Sequence, residues 1–435
     1  MEKYRKLDLF TLELGSDLCS EKQLDQILKS VHVIREEIFK QYGVVIPSIS
    51  VKDNKQLKSL EYVIKINGFS AGSFELKKNS ILIMDTGNVK TEMKGKFVIE
   101  PAYGCPALWV TKSKKSEAMQ NGYVSASPVK IIYVHLTEKI KENLSSVITT
   151  QYVGELLDEV MKENNFLCTQ LTKKYGSASL TVIKMVLCSL LSEGVSIRNL
   201  LPILEIIANE PKVEREKVQE LVNKVRCEIV QEIIEPHSKN NKVIGLMISE
   251  ELYKYMSNYM EGDGKIILDP AMRRWFDNEV ALKIEEMTKK GFSPVVFTLV
   301  QFRYGFKKLF EAIGHHKVSV ISDEEMFIAT MKLNYSLEVF DMIGNDFIAP
   351  VVNKEPKQPV PQKRTNEKFE KLQNEITKII NRLNPFDQKV LSMRFGLDGE
   401  CTHTLDEVGQ AFDISLEQIR VIEAKALRLL RKNNE

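Results

Sequence analysis

Two short motifs contain residue types that catalyse reactions in other proteins. Asp85-Thr86-Gly87 follows the apolar run Ile81–Met84 and has the residue order of an aspartic-protease triplet. That chemistry needs two carboxylates that share a proton, but the sequence contains a single triplet, and Asp-x-Gly between strands is typical of a turn. His315 and His316 are adjacent, so their side chains point in different directions and make a poor metal pair. We therefore predict that the chain is not an enzyme and uses no metal or cofactor.

The densest set of helix signals lies near the end of the chain. Thr404 and Glu407 form a T-x-x-E capping box, which predicts the start of a short helix. A second capping box, Ser415 with Gln418, follows directly after a break at Asp413-Ile414. Two short capped helices joined by a brief turn are the geometry of a helix-turn-helix.

The exposed start of the second helix would meet a DNA major groove. An arginine there can pair with guanine, and a glutamate can accept a hydrogen bond from cytosine, while other polar side chains of the module contact phosphates. The candidate DNA-binding residues are Arg394, Thr404, Glu417, Arg420, Lys425 and Arg431. Alternatively, these charges form only the solvated side of an amphipathic pair; the two caps and the short turn favour the helix-turn-helix. A preceding helix is expected from Asn384-Pro385 to Gly396.

Hydrophobic periodicity predicts the elements that precede this module. Residues 21–41 have helical spacing, and residues 44–110 alternate short apolar runs with turns. We further predict a strand at Val129–His135 and a helix containing Leu200 that is capped by Ser196. The fold class is therefore α+β and multi-domain: β-rich mixed subdomains, a helical subdomain and a small α/β subdomain, followed by an all-α helix-turn-helix module. The predicted boundaries are 1–149 for the mixed α/β subdomains, 150–239 for the helical subdomain, 240–350 for the small α/β subdomain, 351–366 for a linker and 367–435 for the module.

Composition and charge fit a multi-domain cytoplasmic chain. The 435 residues contain 61 basic and 59 acidic side chains, and no apolar run reaches the roughly 18 residues of a membrane-spanning helix. Six scattered cysteines without a C-x-x-C pair indicate reduced thiols. The linker contains three prolines and four basic residues, which favours an extended spacer that spans at most about 50 Å.

The C-terminal module resembles region 4 of the housekeeping-type sigma-70 factors. The resemblance rests on R-F-G-L-D, T-L-D-E-V-G and I-R-x-I-E-A-K-A-L-R-x-L-R within residues 382–432. It implies recognition of the promoter minus-35 element and contact with the flap of RNA polymerase. Two positions depart from the family: Leu416 replaces an arginine and Val421 replaces a base-reading glutamine. With 11 basic and 12 acidic residues, the module gains little affinity from counterion release, so we expect weak or altered DNA binding unaided.

The body, residues 6–350, resembles the soluble cytoplasmic domain of the FlhA-type (FHIPEP) export-gate family of flagellar and virulence type III secretion. The main segments are FVIEPAYGCPALWV from Phe97 and LLSEGVSIRNL from Leu190. The family's N-terminal membrane half has no counterpart, so we expect a monomer or weak oligomer without a membrane span. The resemblance implies a binding platform for export chaperones that carry substrates, with a cleft in the region of about 90–140. The positions that match the cleft are Glu100, Tyr103 and Val134.

Three functions remain open at this point. In the first, the body senses export chaperones or substrates while the module contacts promoter DNA or polymerase. In the second, the chain is an accessory of the export apparatus and the module binds only protein, which the apolar Leu416 and Val421 favour. In the third, the module blocks the polymerase flap as a sigma mimic.

Overall fold

A computed structural model describes residues 8–87, 89–211, 217–262, 264–347 and 385–395, together with residues 408, 411, 412 and 414. It divides into two compact units, residues 1–349 and 350–435. In the first unit, three separate four-stranded sheets are combined with a layer of helices. This arrangement confirms the predicted α+β class.

The first sheet has the strand order β2-β1-β3-β4. Its strands are β1 (Phe10–Leu14), β2 (Ser50–Asp53), β3 (Glu61–Ile66) and β4 (Phe69–Glu75), and the helix α1 (Glu21–Tyr42) joins β1 to β2. Asn67 and Gly68, both with positive φ, make the tight turn between β3 and β4. The helix α1 confirms the periodicity of residues 21–41, because Ile27, Val31 and Ile34 form its buried side.

The second sheet is an insertion between β4 and the helix α3 (Pro128–Glu142). It has the order β6-β7-β5-β8, all antiparallel. Its elements are β5 (Ser80–Met84), β6 (Lys96–Ile99), β7 (Pro106–Thr111), the short helix α2 (Lys115–Gln120) and β8 (Val124–Ala126). β8 pairs with β5, so the chain leaves the insertion beside the strand by which it entered.

The strand predicted at Val129–His135 is wrong, since these residues lie in α3. The side chain of Ser127 accepts a hydrogen bond from Lys130 N–H, and Pro128 occupies the first helical position, so the start of the helix is well capped. Its β-branched residues imitate a strand, but α3 packs against both α1 and β3 and is therefore buried on more than one side. A helix buried on several sides loses the periodicity that would reveal it.

A bundle of helices follows α3, as predicted for residues 150–235. It comprises α4 (Thr150–Glu163), α5 (Asn165–Tyr175), α6 (Ser179–Ser192), α7 (Leu200–Asn209), α8 (Val218–Glu228) and α9 (Val230–Ile234). The predicted cap of α7 is wrong: Asn199 stands at the N-cap, while Ser196 Oγ accepts from Arg198 N–H at 3.2 Å. No single described helix is long and apolar enough to cross a membrane, and only the bent pair of α5 and α6 meets that criterion jointly.

The last part of the first unit is a parallel sheet with the order β11-β10-β9-β12. Its elements are β9 (Lys242–Ile248), α10 (Glu250–Ser257), α11 (Pro270–Lys289), β10 (Val295–Thr298), α12 (Val300–Ala312), β11 (Ser319–Ser322), α13 (Asp323–Leu333) and β12 (Ser336–Ile343). Phenylalanine rings of α11 and α12 stack on each other beside this sheet, and the ring centroids of Phe276 and Phe310 lie 5.8 Å apart. This confirms the alternation of helices and strands predicted for residues 240–350.

In the second unit, the structure describes the helix α14 (Pro385–Phe395). The described helix lies within the range predicted from Asn384-Pro385 to Gly396. Val390 and Val408 are fully buried, and the rings of Phe386 and Phe412 meet edge to face at 5.7 Å. Phe412 thus contacts the preceding helix and Val408 is buried, as expected for the inner side of the first predicted helix of the helix-turn-helix.

Candidate functional site

Glu100 and Tyr103 lie in the tight loop between β6 and β7. The Glu100 side chain is 3% exposed, and its two carboxylate oxygens accept from the N–H groups of Ala102 at 2.9 Å and Tyr103 at 2.8 Å. Its own N–H donates to the carbonyl of Cys105 at 2.8 Å. Glu100 therefore fixes the shape of the loop, and the loop presents Tyr103 with 53% of its surface exposed.

Val134, the third candidate, is half-buried on α3. Glu138 lies one turn further along the helix, so the two side chains share a face. Burial, together with the negative charge of the Glu138 carboxylate near the Tyr103 hydroxyl, raises the pKa of Tyr103 to about 12. The phenol is therefore protonated at neutral pH and able to donate. The structure thus brings Tyr103 to the face of α3 that contains Val134.

Lys317, which the sequence did not predict, completes this group from the other end of the first unit. Its Nζ lies 3.6 Å from the centroid of the Tyr103 ring and 2.9 Å from Oε2 of Glu138. Burial alone would raise the pKa of the Glu138 carboxyl. Hydrogen bonds and positive charges from Lys317 and Lys141 instead hold this pKa below its usual range. A protonated lysine over a tyrosine face is a favourable cation–π contact. We call Tyr103, Glu138 and Lys317 the tyrosine cluster.

The segment that carries Lys317 is fixed by a buried lysine of α12. Lys307 is 1% exposed, and its Nζ donates to the carbonyls of His316 at 2.9 Å and Val318 at 3.0 Å. These two carbonyls flank Lys317 on both sides. The position of Lys317 is therefore set by the core of the parallel sheet rather than by its own loop.

Around the tyrosine cluster, the edge strand β6 exposes apolar side chains. Phe97 is 63% exposed and Ile99 is 49% exposed, and their alternate positions place them on one face of the strand. β6 pairs only with β7, so its other edge has no strand partner among the described residues. An exposed aromatic and aliphatic surface beside a tyrosine is typical of a protein-binding site.

The remaining sequence candidates have other positions. Arg394 lies on α14 by its backbone, and its side chain is outside the described residues. Thr404, Glu417, Arg420, Lys425 and Arg431 also lie outside them. Asp85 forms the predicted turn, since its Oδ1 accepts from Gly87 N–H at 2.8 Å. Across the described part of the chain, no group of three or more His, Cys, Asp or Glu side chains could hold a metal ion.

Two family models match the chain. The FHIPEP family covers residues 1–330, and sigma-70 region 4 covers residues 379–432. The flagellar biosynthesis protein FlhA of Borreliella burgdorferi is 29% identical over 67% of this chain and 42% of its own length. A putative truncated flagellar export/assembly protein, LfhA of Escherichia coli, is 23% identical over 68% of this chain and 52% of its length. The chain thus matches less than half of FlhA.

Solved structures agree on the fold of the body. The Chlamydia pneumoniae CdsV protein superposes with a TM-score of 0.63 and 19% identity, covering 79% of this chain and 99% of that one. The nonameric EPEC SctV-C superposes with a TM-score of 0.61 and 20% identity over 77% of this chain and 98% of that one. Because the FHIPEP model matches well over half of its residues, and a sigma-70 region 4 match follows, the chain belongs to the FHIPEP family and joins its domain to a sigma region 4 module.

Proposed function

We propose that this protein is a cytoplasmic regulator that couples the state of flagellar or type III export to transcription. The observation that carries the proposal is the presence of an FHIPEP match over 1–330 and a sigma-70 region 4 match over 379–432 in one chain. In this proposal, the body binds export chaperones or their substrates, and the module binds promoter DNA, the polymerase flap or both. Chaperone binding then changes the access of the module to its target.

The tyrosine cluster is the proposed centre of the chaperone-binding surface. Tyr103 and Val134 supply contact area, and Glu100 acts indirectly by fixing the loop that presents Tyr103. The exposed Phe97 and Ile99 extend the apolar area along β6. An aromatic residue surrounded by aliphatic side chains and rimmed by charges is the usual composition of a binding hot spot.

The proposed DNA contacts are those of the module. Glu417 and Arg420 read bases, and Arg394, Thr404, Lys425 and Arg431 contact phosphates. Removing a bidentate arginine–guanine pair costs about 1–3 kcal/mol of discrimination. Because the module has a net charge of −1 and gains little from counterion release, it should bind a minus-35-like sequence with modest affinity unaided.

The test is genome-wide crosslinking of the tagged full-length protein to DNA, beside the full-length variant Glu417→Ala/Arg420→Ala. Promoter peaks that disappear in the variant support the proposal and identify the regulated genes. Footprinting of one such promoter with and without an export chaperone of the same bacterium tests the coupling. A Tyr103→Ala variant should retain the footprint and lose the response to chaperone, and an identical footprint in all samples would contradict the coupling.

A second function is favoured by the apolar residues Leu416 and Val421, which stand where the sigma family has an arginine and a glutamine. Here the chain is an accessory of the export apparatus, and the module binds protein without DNA. The double variant Leu416→Arg/Val421→Gln distinguishes the two functions. Under the accessory function, the native chain gives no binding specific to a minus-35 element and the variant gains it, whereas under the regulator function both bind the element specifically.

A further inference from the structure

The second sheet concentrates positive charge at one end. β5 and β6 begin at this end and β7 finishes there, because Ser80 pairs with Thr111 and Lys96 pairs with Trp109. The loop that follows β7 is joined to the loop that precedes β5 by a hydrogen bond from Lys112 N–H to the carbonyl of Asn79 at 3.1 Å. Six exposed lysines therefore meet here, which we call the lysine patch: Lys77, Lys94, Lys96, Lys112, Lys114 and Lys115.

The lysine patch lacks neutralising partners. None of its six ammonium groups forms an ion pair with a described residue, whereas the neighbouring Lys78 lies 3.8 Å from Asp17. Residues 77–126 contain eight lysines and four acidic residues, and one of the acidic residues, Glu100, is buried in its loop. The segments at the opposite end of this sheet, residues 85–87 and 100–105, contain no basic residue. The charge is thus polarised along the strands, although the whole chain has a net charge of only +2.

Such a charge distribution favours the binding of a polyanion. Adjacent strands lie about 4.8 Å apart, so the three strand ends β6, β7 and β5 spread the lysines across about 10 Å. A DNA duplex presents one phosphate charge per about 1.7 Å of its axis, and lysine binds phosphates as a point charge without needing a fixed geometry. Several of the six side chains can therefore reach phosphates at once.

We propose that the lysine patch of the body binds the phosphate backbone of duplex DNA and supplies the electrostatic affinity that the sigma region 4 module lacks. The choice of DNA as the polyanion rests on the proposed function, because the module matches a DNA-reading family but has a net charge of −1. Sequence recognition then belongs to the module and non-specific attraction to the body. Each lysine that contacts a phosphate contributes about 0.9 to the slope of log K against log salt concentration.

The experiment measures binding of the full-length chain to two labelled duplexes by fluorescence anisotropy, one with and one without a minus-35 element, between about 50 and about 300 mM KCl. The test variant is Lys112→Gln/Lys114→Gln/Lys115→Gln. The control is Lys29→Gln/Lys162→Gln/Lys289→Gln, which removes the same charge from exposed lysines of α1, α4 and α11. Circular dichroism confirms that all three proteins fold alike.

The expected result is that the test variant lowers the salt slope by about 2–3 on both duplexes and weakens binding at about 100 mM salt at least tenfold, while the control changes it less than twofold. An unchanged slope in the test variant would overturn the proposal. So would binding to vesicles with about 30% anionic lipid in the absence of any binding to DNA. If the test variant lowers the salt slope but no protein prefers the duplex with the minus-35 element, the proposed promoter recognition is refuted and the DNA-binding role of the lysine patch is supported. If the chain prefers that duplex but the test variant leaves the salt slope unchanged, promoter recognition is supported and the role of the lysine patch is refuted.

Discussion

His135 on α3 is buried against the first sheet, with 2% of its surface exposed. Its Nδ1 lies 2.9 Å from the Tyr62 hydroxyl, and its ring fills the space above Gly72, where an added Cβ would meet Nε2 at 2.7 Å. Burial, assisted by the nearby charge of Lys139, lowers the pKa of His135 to about 4. The imidazole is therefore neutral in the folded protein across the physiological range.

This pKa predicts a loss of stability in mild acid. Because the unfolded chain binds the proton near pH 6.5 and the folded chain only near pH 4, stability rises with pH between these values and falls as the pH is lowered through them. From pH 7 to pH 5, the free energy of unfolding should decrease by about 2 kcal/mol through this residue. Urea unfolding at the two pH values measures the change.

The matched comparison is His135→Gln against His32→Gln, since His32 is exposed on α1. His135→Gln should reduce the difference between the two pH values, and His32→Gln should leave it as in the native chain. An equal pH dependence in all three proteins would contradict the assignment. His237, whose pKa burial and Lys307 also lower to about 4, contributes in the same window and remains in both variants.

A buried ion network joins four helices of the first unit. Arg226 of α8 donates to Glu193 after α6 at 2.8 Å and to Glu325 of α13 at 2.5 Å, and Arg303 of α12 also pairs with Glu193. Burial opposes the ionised form of Glu193, but the charges of Arg303 and Arg226 hold its pKa below the usual range. The network therefore ties the helical bundle to the parallel sheet.

Removing Arg226 should be strongly destabilising. Arg226→Met leaves the Glu325 carboxylate without its cation in a site that water does not reach, which typically costs about 3–5 kcal/mol. Arg274→Met on α11 is the control, because Arg274 is exposed. Denaturant unfolding of both variants measures the difference, and a loss below about 1 kcal/mol for Arg226→Met would show that the site rehydrates or relaxes.

The elements and the site differ in how far the sequence predicts them. Strong turn residues, such as Asn67-Gly68, correctly predict a turn between strands, because local chemistry decides it. Val129–His135 has the sequence pattern of a strand although it is helical, because its surroundings bury it on several sides. The sequence does not indicate Lys317 for another reason: its contacts with Tyr103 and Glu138 are made by tertiary packing, and no spacing in the sequence encodes them.

At the scale of the whole molecule, an FHIPEP body is joined to a sigma region 4 module. A relative, EPEC SctV-C, is a nonamer. We predict that this chain, by contrast, is a monomer or weak oligomer. Sedimentation velocity at micromolar concentration measures its mass against the 49.8 kDa of one chain. A stable species of nine chains would contradict this prediction.

The second sheet enters and leaves through neighbouring strands, because β8 returns to pair with β5. An insertion whose two ends meet closes its own loop and leaves the register of the host sheet intact. Exposed residues of the segment 80–126 can therefore change in size or charge without altering the pairing of β3 with β4, whereas the buried Trp109, which stacks on Phe74 of β4, is constrained by the host sheet. The binding properties of this body can thus diverge from those of its relatives through the exposed side chains of one small segment.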